Sequence, residues 1–199
     1  MTRKIQISES DLYNIIKQVL IEQEQEKEVW ITDEDEFISR LDGVFDGNYE
    51  KFTKVHNKHY GKIVVKGNLN LRSTQITSLP DNLYVEGYLN LYNCKNLTSL
   101  PDNLHVKDDL NLYGTPIESL PDNLHVGGGL NLYGCKNLTS LPDNLHVEGS
   151  LYLANTPIKS LPDNLVVKGT IYINRTPLND NNELVKEYKA KGYYFYRHQ

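Results

Sequence analysis

The stretch "LNLYGTPIESLPDNLHV", Leu110 to Val126, is written again from Leu130 to Val147 as "LNLYGCKNLTSLPDNLHV". The prolines of its "SLPDNL" element stand at Pro80, Pro101, Pro121, Pro142 and Pro162, in steps of 21, 20, 21 and 20 residues. A unit this short cannot bury an apolar face alone, so its copies must stack and share one core. Aligning outward from the prolines gives six coils, beginning near Val64, Tyr84, His105, His125, His146 and Val166. The shared pattern is Val-x-Gly-x-Leu-x-Leu-x-x-(Thr or Cys)-x-Ile/Leu-x-Ser-Leu-Pro-Asp-Asn-Leu, with Asp108 in place of Gly in the third coil.

In "LNLYGTPIESLPDNL", Leu110, Leu112, Thr115, Ile117, Leu120 and Leu124 fill the frame L-x-L-x-x-N/C-x-L-x-x-L-P-x-x-L. On those residues the chain resembles a leucine-rich repeat, over roughly residues 64–178. It departs from that family at one place. Where the family has a leucine three positions before the strand, this chain has Glu86, Lys107, Gly127, Glu148 or Lys168. A valine stands one position earlier, at Val85, Val106, Val126, Val147 and Val167. That shift predicts a second short strand at "LHV" on another wall of each coil, and a compact β-solenoid instead of a horseshoe with outer helices. Short repeats with an "LP" signature also resemble those of bacterial type III effectors. The ligases among those carry a catalytic domain after the repeats, whereas only residues 179–199 follow here.

The two versions of the repeat differ at one inward position. Thr74, Thr115, Thr156 and Thr176 alternate there with Cys94 and Cys135 as far as the fifth coil. Threonine can turn its hydroxyl to the coil backbone, and the Pro of "TPI" fixes φ for a tight corner. Cysteine is expected to give up that bond for a small apolar sulfur and a corner one residue wider. The alternation marks a duplicated two-coil unit. With coils about 4.8 Å apart, Cys94 and Cys135 are about 10 Å apart, beyond the ~7 Å Cα separation that a disulfide spans. Two inert core thiols are expected in preference to a redox pair.

In "LNLY" the leucines face in and the alternate residues face solvent. One outer column reads Asn70, Asn90, Asn111, Asn131, Tyr152, Tyr172, and the next reads Arg72, Tyr92, Tyr113, Tyr133, Ala154, Asn174. Asn amides can pair from coil to coil and Tyr rings can stack, so both columns can brace the solenoid. Exposed Tyr with Asn is also the composition of adaptable binding faces, which makes Asn90, Tyr92, Asn111, Tyr113, Asn131, Tyr133, Tyr152 and Tyr172 the candidate partner-binding residues. The chain holds 14 Tyr against 4 Phe and 1 Trp, a bias that fits such half-exposed strands. His105, His125 and His146 recur at one position, but a metal needs converging nitrogens and a supporting shell, so solvated imidazoles are expected. The Asp81, Asp102, Asp122, Asp143 and Asp163 column reads as a Pro-led turn closed by an Asx hydrogen bond instead of a calcium ladder. No metal and no cofactor are expected.

Both ends need covers. "NDNNELVKEYKAKGYYFYR" predicts an Asn/Asp-capped helix, a stop at Gly192 and a final aromatic strand. "TDEDEFISRLDGVF" has Thr32 or Asp33 as N-cap, acids in the first turn and Phe37, Ile38 and Leu41 on one face, which predicts a helical N-terminal cap. Ahead of it, Leu12, Ile15, Ile16, Val19 and Leu20 repeat at helical spacing before the charged "EQEQEKE". This is either a docking helix or another part of the cap. "ISESDLYNIIKQVLIEQ" resembles N-terminal segments found on many proteins of marine tailed phages. Leu20-Ile21-Glu22 matches the hydrophobic-x-Glu site at which prohead proteases cut, with Glu22 as the candidate processing residue. The resemblance implies a phage origin and delivery to the capsid, hence a virion or host-cytoplasm location.

The expected fold is mainly β, a leucine-rich-repeat-like solenoid of about six coils of 20 or 21 residues with a helical N-terminal and a small α/β C-terminal cap. The expected division is 1–25 docking helix and linker, 26–63 N-terminal cap, 64–178 solenoid and 179–199 C-terminal cap. A net charge of −5, with no basic stripe, argues against nucleic acid, and no apolar run or leader of secretory type argues for a membrane or export. No nucleophile–base pair or phosphate loop stands out. The expected function is non-enzymatic binding of a protein partner, with a structural virion spacer or an effector-like repeat protein as alternatives.

Overall fold

Alternating inward and outward residues on two short walls per repeat wind the chain into a parallel β-solenoid, seen in a computed structural model that describes residues 29–31 and 63–196. Each repeat contributes one strand to each of two sheets. The first sheet runs β1 (Val29–Ile31), β2 (Ile63–Val65), β4 (Leu83–Val85), β6 (His105–Val106), β8 (His125–Val126), β10 (His146–Val147) and β12 (Val166–Val167). The second runs β3 (Leu69–Asn70), β5 (Leu89–Asn90), β7 (Leu110–Asn111), β9 (Leu130–Asn131), β11 (Leu151–Tyr152), β13 (Thr170–Tyr172) and β14 (Tyr194–Tyr196). The second strand predicted at "LHV" is therefore real, and the wall it builds is what separates this solenoid from a horseshoe.

Six repeat coils are extended to about seven by one cap strand at each end. Val29 pairs with Ile63 at the N-terminal end of the first sheet, and Phe195 pairs with Ile171 at the C-terminal end of the second. Nothing in the apolar spacing predicts the strand at 29–31. The helices predicted elsewhere in 26–63, the docking-helix residues Leu12, Ile15, Ile16, Val19 and Leu20, and Glu22 lie outside the described residues.

Register places like on like: Val85, Val106, Val126 and Val147 stack in one sheet, and Leu69, Leu89, Leu110 and Leu130 in the other. These residues are 0% exposed. Leu112, Ile117 and their equivalents complete one continuous core running the length of the coils. Cross-coil hydrogen bonds extend beyond the strands into the corners. In the corner between the sheets, Gly87 donates to Gly67 at 2.8 Å, Gly149 to Gly128 at 2.8 Å and Gly169 to Gly149 at 2.9 Å. A Cβ at Gly149 would lie 2.7 Å from the Gly129 nitrogen, so the column is glycine because the backbones of neighbouring coils meet there. Where Asp108 interrupts it, the bond back to Gly87 lengthens to 3.3 Å.

The turn at "LPDN" forms as predicted but closes differently. Leu104, Leu124 and Leu165 donate from their backbone N–H to the carbonyls of Pro101, Pro121 and Pro162 at 3.2–3.3 Å. Asn82, Asn123 and Asn144 sit at φ of 57–60°, a left-handed conformation that asparagine tolerates. In the three turns closed by Leu104, Leu124 and Leu165 the closing bond is backbone to backbone, in place of the expected Asx bond.

The C-terminal cap follows its sequence signals. Thr176 caps helix α1 (Pro177–Asp180), Asn181 caps α2 (Asn182–Ala190), and Gly192 turns the chain at φ 98° into β14. Leu178, Val185 and Tyr188 cover the last coil, and the Tyr188 hydroxyl donates to the Leu161 carbonyl while accepting from its N–H, both at 2.9 Å.

Candidate functional site: the outer face of the second sheet

The eight candidate binding residues share one face. Asn90, Asn111 and Asn131 are half-buried on β5, β7 and β9, and the amides expected to pair between coils do not do so. Each Oδ1 instead accepts from the backbone N–H two residues on, Tyr92 at 3.1 Å and Tyr113 and Tyr133 at 3.0 Å. Each strand ends at its Asn, and the Asn side-chain oxygen satisfies the N–H two residues on.

The tyrosines do stack. Tyr92 and Tyr113 lie 4.8 Å apart at 18°, and Tyr113 and Tyr133 lie 4.8 Å apart at 5°. Arg72 closes the N-terminal end of this ladder, its guanidinium carbon 4.5 Å from the Tyr92 ring centre. At the fifth coil the aromatic residue changes column: Ala154 follows Tyr133, while Tyr152 follows Asn131. A second ladder then runs from Tyr152 to Tyr172 at 4.6 Å and on to Tyr196 at 5.2 Å.

An open groove of about 490 Å³ lies beside this step, lined by Asp109, Asn111, Asn131, Ser150 and Tyr152 over a glycine floor. The floor is Gly128, Gly129 and Gly149, and Gly129 stands in a column otherwise reading Asn68, Tyr88, Asp109, Ser150 and Thr170. Aligning the coils shows glycine at 127 and 129 where neighbouring coils carry side chains, although spacing alone does not single out Asp109 or Ser150. Both belong to a second set of bonds with the two-coil period: Asn68 accepts from the Tyr88 N–H at 3.1 Å, Asp109 from Gly129 at 2.6 Å and Ser150 from Thr170 at 3.2 Å.

On the opposite sheet the histidines also stack instead of converging. Tyr84 and His105 are 4.3 Å apart, His105 and His125 6.0 Å, His125 and His146 4.7 Å. His146 Nε2 meets Glu148 Oε1 at 2.7 Å, and Lys168 binds the other oxygen of the same carboxylate. Lys168, and then His146, hold the Glu148 carboxyl below its ordinary range. Among the described residues no three His, Cys, Asp or Glu side chains are grouped to hold a metal, and no helix is long and apolar enough to cross a membrane. Asp81, Asp102, Asp122, Asp143 and Asp163 are exposed, and Asp163 lies 3.6 Å from Lys191.

The two cysteines are free and buried. Cysteine does not give up the hydrogen bond, as the repeat comparison had implied; it redirects it. Thr74 and Thr115 donate to Leu71 and Leu112 of their own coil at 2.7 and 2.8 Å, whereas Cys94 and Cys135 donate to those same carbonyls from the following coil at 3.0 and 3.1 Å. Thr and Cys thus form a pair sharing one acceptor, which gives their alternation a physical reason. Burial raises both thiol pKa values, and the threonine hydrogen bonds oppose it only in part.

Comparison with protein-family models, curated proteins and solved structures finds no match to this chain.

Proposed function

We propose that this protein is a non-enzymatic interaction module that binds a protein partner through the outer face of its second sheet. The observation that carries this reading is the continuous surface made by two tyrosine ladders and the asparagine column between and beside them. Such a surface offers rigid, amphipathic area at small entropic cost, the property that places tyrosine at recognition sites. The groups whose proton affinity departs from the ordinary include two core thiols and the Glu148 carboxyl on the other sheet, none of which lines the groove.

Replacing Tyr113 and Tyr133 together by Ala tests it. Each ring contributes about 0.5–1.5 kcal/mol of stacking, so the variant should stay folded while losing the partner retained from host lysate by the parent protein. Full capture by a folded double variant rejects the reading. The second reading is a structural virion element, and the phage-like segment ending near Glu22 supports it together with a phage origin. On that reading the same variant changes particle assembly, and protein from mature particles begins at Gln23. An intact Met1 in mature particles rules the processing out.

A further inference from the structure

Each aromatic ladder begins with a ring that has one face uncovered by another ring, and the molecule treats the two differently. The first is covered by its own Arg72, 4.5 Å above Tyr92. The second begins at Tyr152, which stacks on Tyr172 on one side. On the other side its register partner is Asn131, and the groove opens there. Tyr152 is 38% exposed.

Asp109 is the one charged side chain lining this groove. A carbon placed at the Cβ position of Gly129 would lie 3.4 Å from Asp109 Oδ1 and 3.8 Å from Tyr152 Cε2, so carboxylate and ring edge flank one point. Oδ1 accepts from the Gly129 N–H, and Oδ2 has no hydrogen bond among the described residues. Asp108 adds a second exposed acid next door, in a chain of net charge −5.

We propose that the groove receives an arginine side chain of the protein partner, its guanidinium lying on Tyr152 as Arg72 lies on Tyr92 and its N–H edge donating to Asp109. This rests on the reading of the face as a protein-binding surface. A planar guanidinium can stack and donate in its own plane at once, which an ammonium cannot. A neutral sugar ring would also stack on Tyr152 but would leave the carboxylate charge unmatched.

The test is a titration of the full-length, ¹⁵N-labelled protein with Nα-acetyl-arginine amide, with Nα-acetyl-lysine amide and with cellobiose. Arginine amide should produce saturable shifts at the amides of Gly128, Gly129 and Tyr152, weakened by added salt. Lysine amide should bind at least about threefold more weakly. Asp109→Asn, which keeps the acceptor for Gly129, and Tyr152→Leu, which keeps apolar bulk, should each weaken arginine binding about fivefold or more. The same spectra report that each variant is folded. No saturable shift up to about 100 mM, equal binding of lysine, saturation by cellobiose, or indifference to both substitutions overturns the proposal. Loss of partner capture in the Tyr113/Tyr133 variant without an arginine response sinks the groove and spares the face. An arginine response with capture intact in that variant does the reverse.

Discussion

The inward and outward columns of the second sheet come from the same two- and three-residue strands, yet they diverge in opposite ways. Inward, Leu110, Leu130 and Leu151 are interchangeable and fully buried. Outward, the same register runs Asn111, Asn131, Tyr152, and the change at the last step opens the groove. A stacked coil punishes any inward change twice, once in its own layer and once in the layers touching it. Outward changes are penalised only where a backbone group depends on them. Within the strands of this sheet the repeat therefore varies on its outer face.

The sharpest way to break this contrast is Leu112→Ala against Asn111→Ala. Leu112 is 0% exposed in the shared core, so its truncation should cost about 2–5 kcal/mol in denaturant unfolding. Asn111 loses one half-exposed bond to Tyr113, worth about 0.5–1 kcal/mol. Equal losses would mean that the two columns are not inside and outside.

Next in size is the behaviour of the thiols. Cys94 and Cys135 are buried and their pKa values raised, so alkylation of the native protein should run about a hundredfold or more slower than in denaturant. Because the folded pKa values lie above those of the unfolded chain, the stability tied to these protons is complete below the ordinary thiol range. It is lost as pH climbs through the raised values. Thiol labelling during an alkaline titration reads both effects.

Glycines sharpen the comparison on a finer scale. Gly149→Ala drives a methyl to 2.7 Å from the backbone of the preceding coil and should cost about 1–3 kcal/mol by thermal unfolding. Gly129→Ala meets nothing closer than 3.3 Å and should cost roughly 0.5 kcal/mol or less. The one glycine holds backbones together; the other keeps a groove open.

The smallest effect concerns the first sheet. Glu148 has a lowered carboxyl pKa, so its contribution is present above the ordinary carboxyl range and is lost as pH falls through the lowered value. Its carboxylate is exposed and screened, so Glu148→Gln should leave the melting temperature near neutral pH almost unchanged and slightly flatten its fall in acid. A marked drop at neutral pH would make the His146–Glu148–Lys168 cluster a structural tie.

The period of 20 and 21 residues dictated the solenoid, because only stacking satisfies a unit that small, and the valine one place early dictated the second wall. The six inward columns and the C-terminal cap were equally legible: apolar alternation, an Asn cap and Gly192 act locally, through bonds that neighbouring residues make. The sequence also named the outer columns, since alternation in "LNLY" leaves no other choice of face. What it left undecided depends on contacts between coils. Asn111 turned out to bind its own strand end instead of the next amide, because the backbone N–H of Tyr113 was the nearer unsatisfied donor. Cys94 found the Leu71 carbonyl of the preceding coil, a partner 23 residues away in sequence. The groove at Asp109 exists only because Gly129 and Tyr152, each unexceptional in its own coil, fall on adjacent layers. Periodicity follows from short-range chemistry, whereas a site between layers is a property of which residues the stacking happens to superimpose.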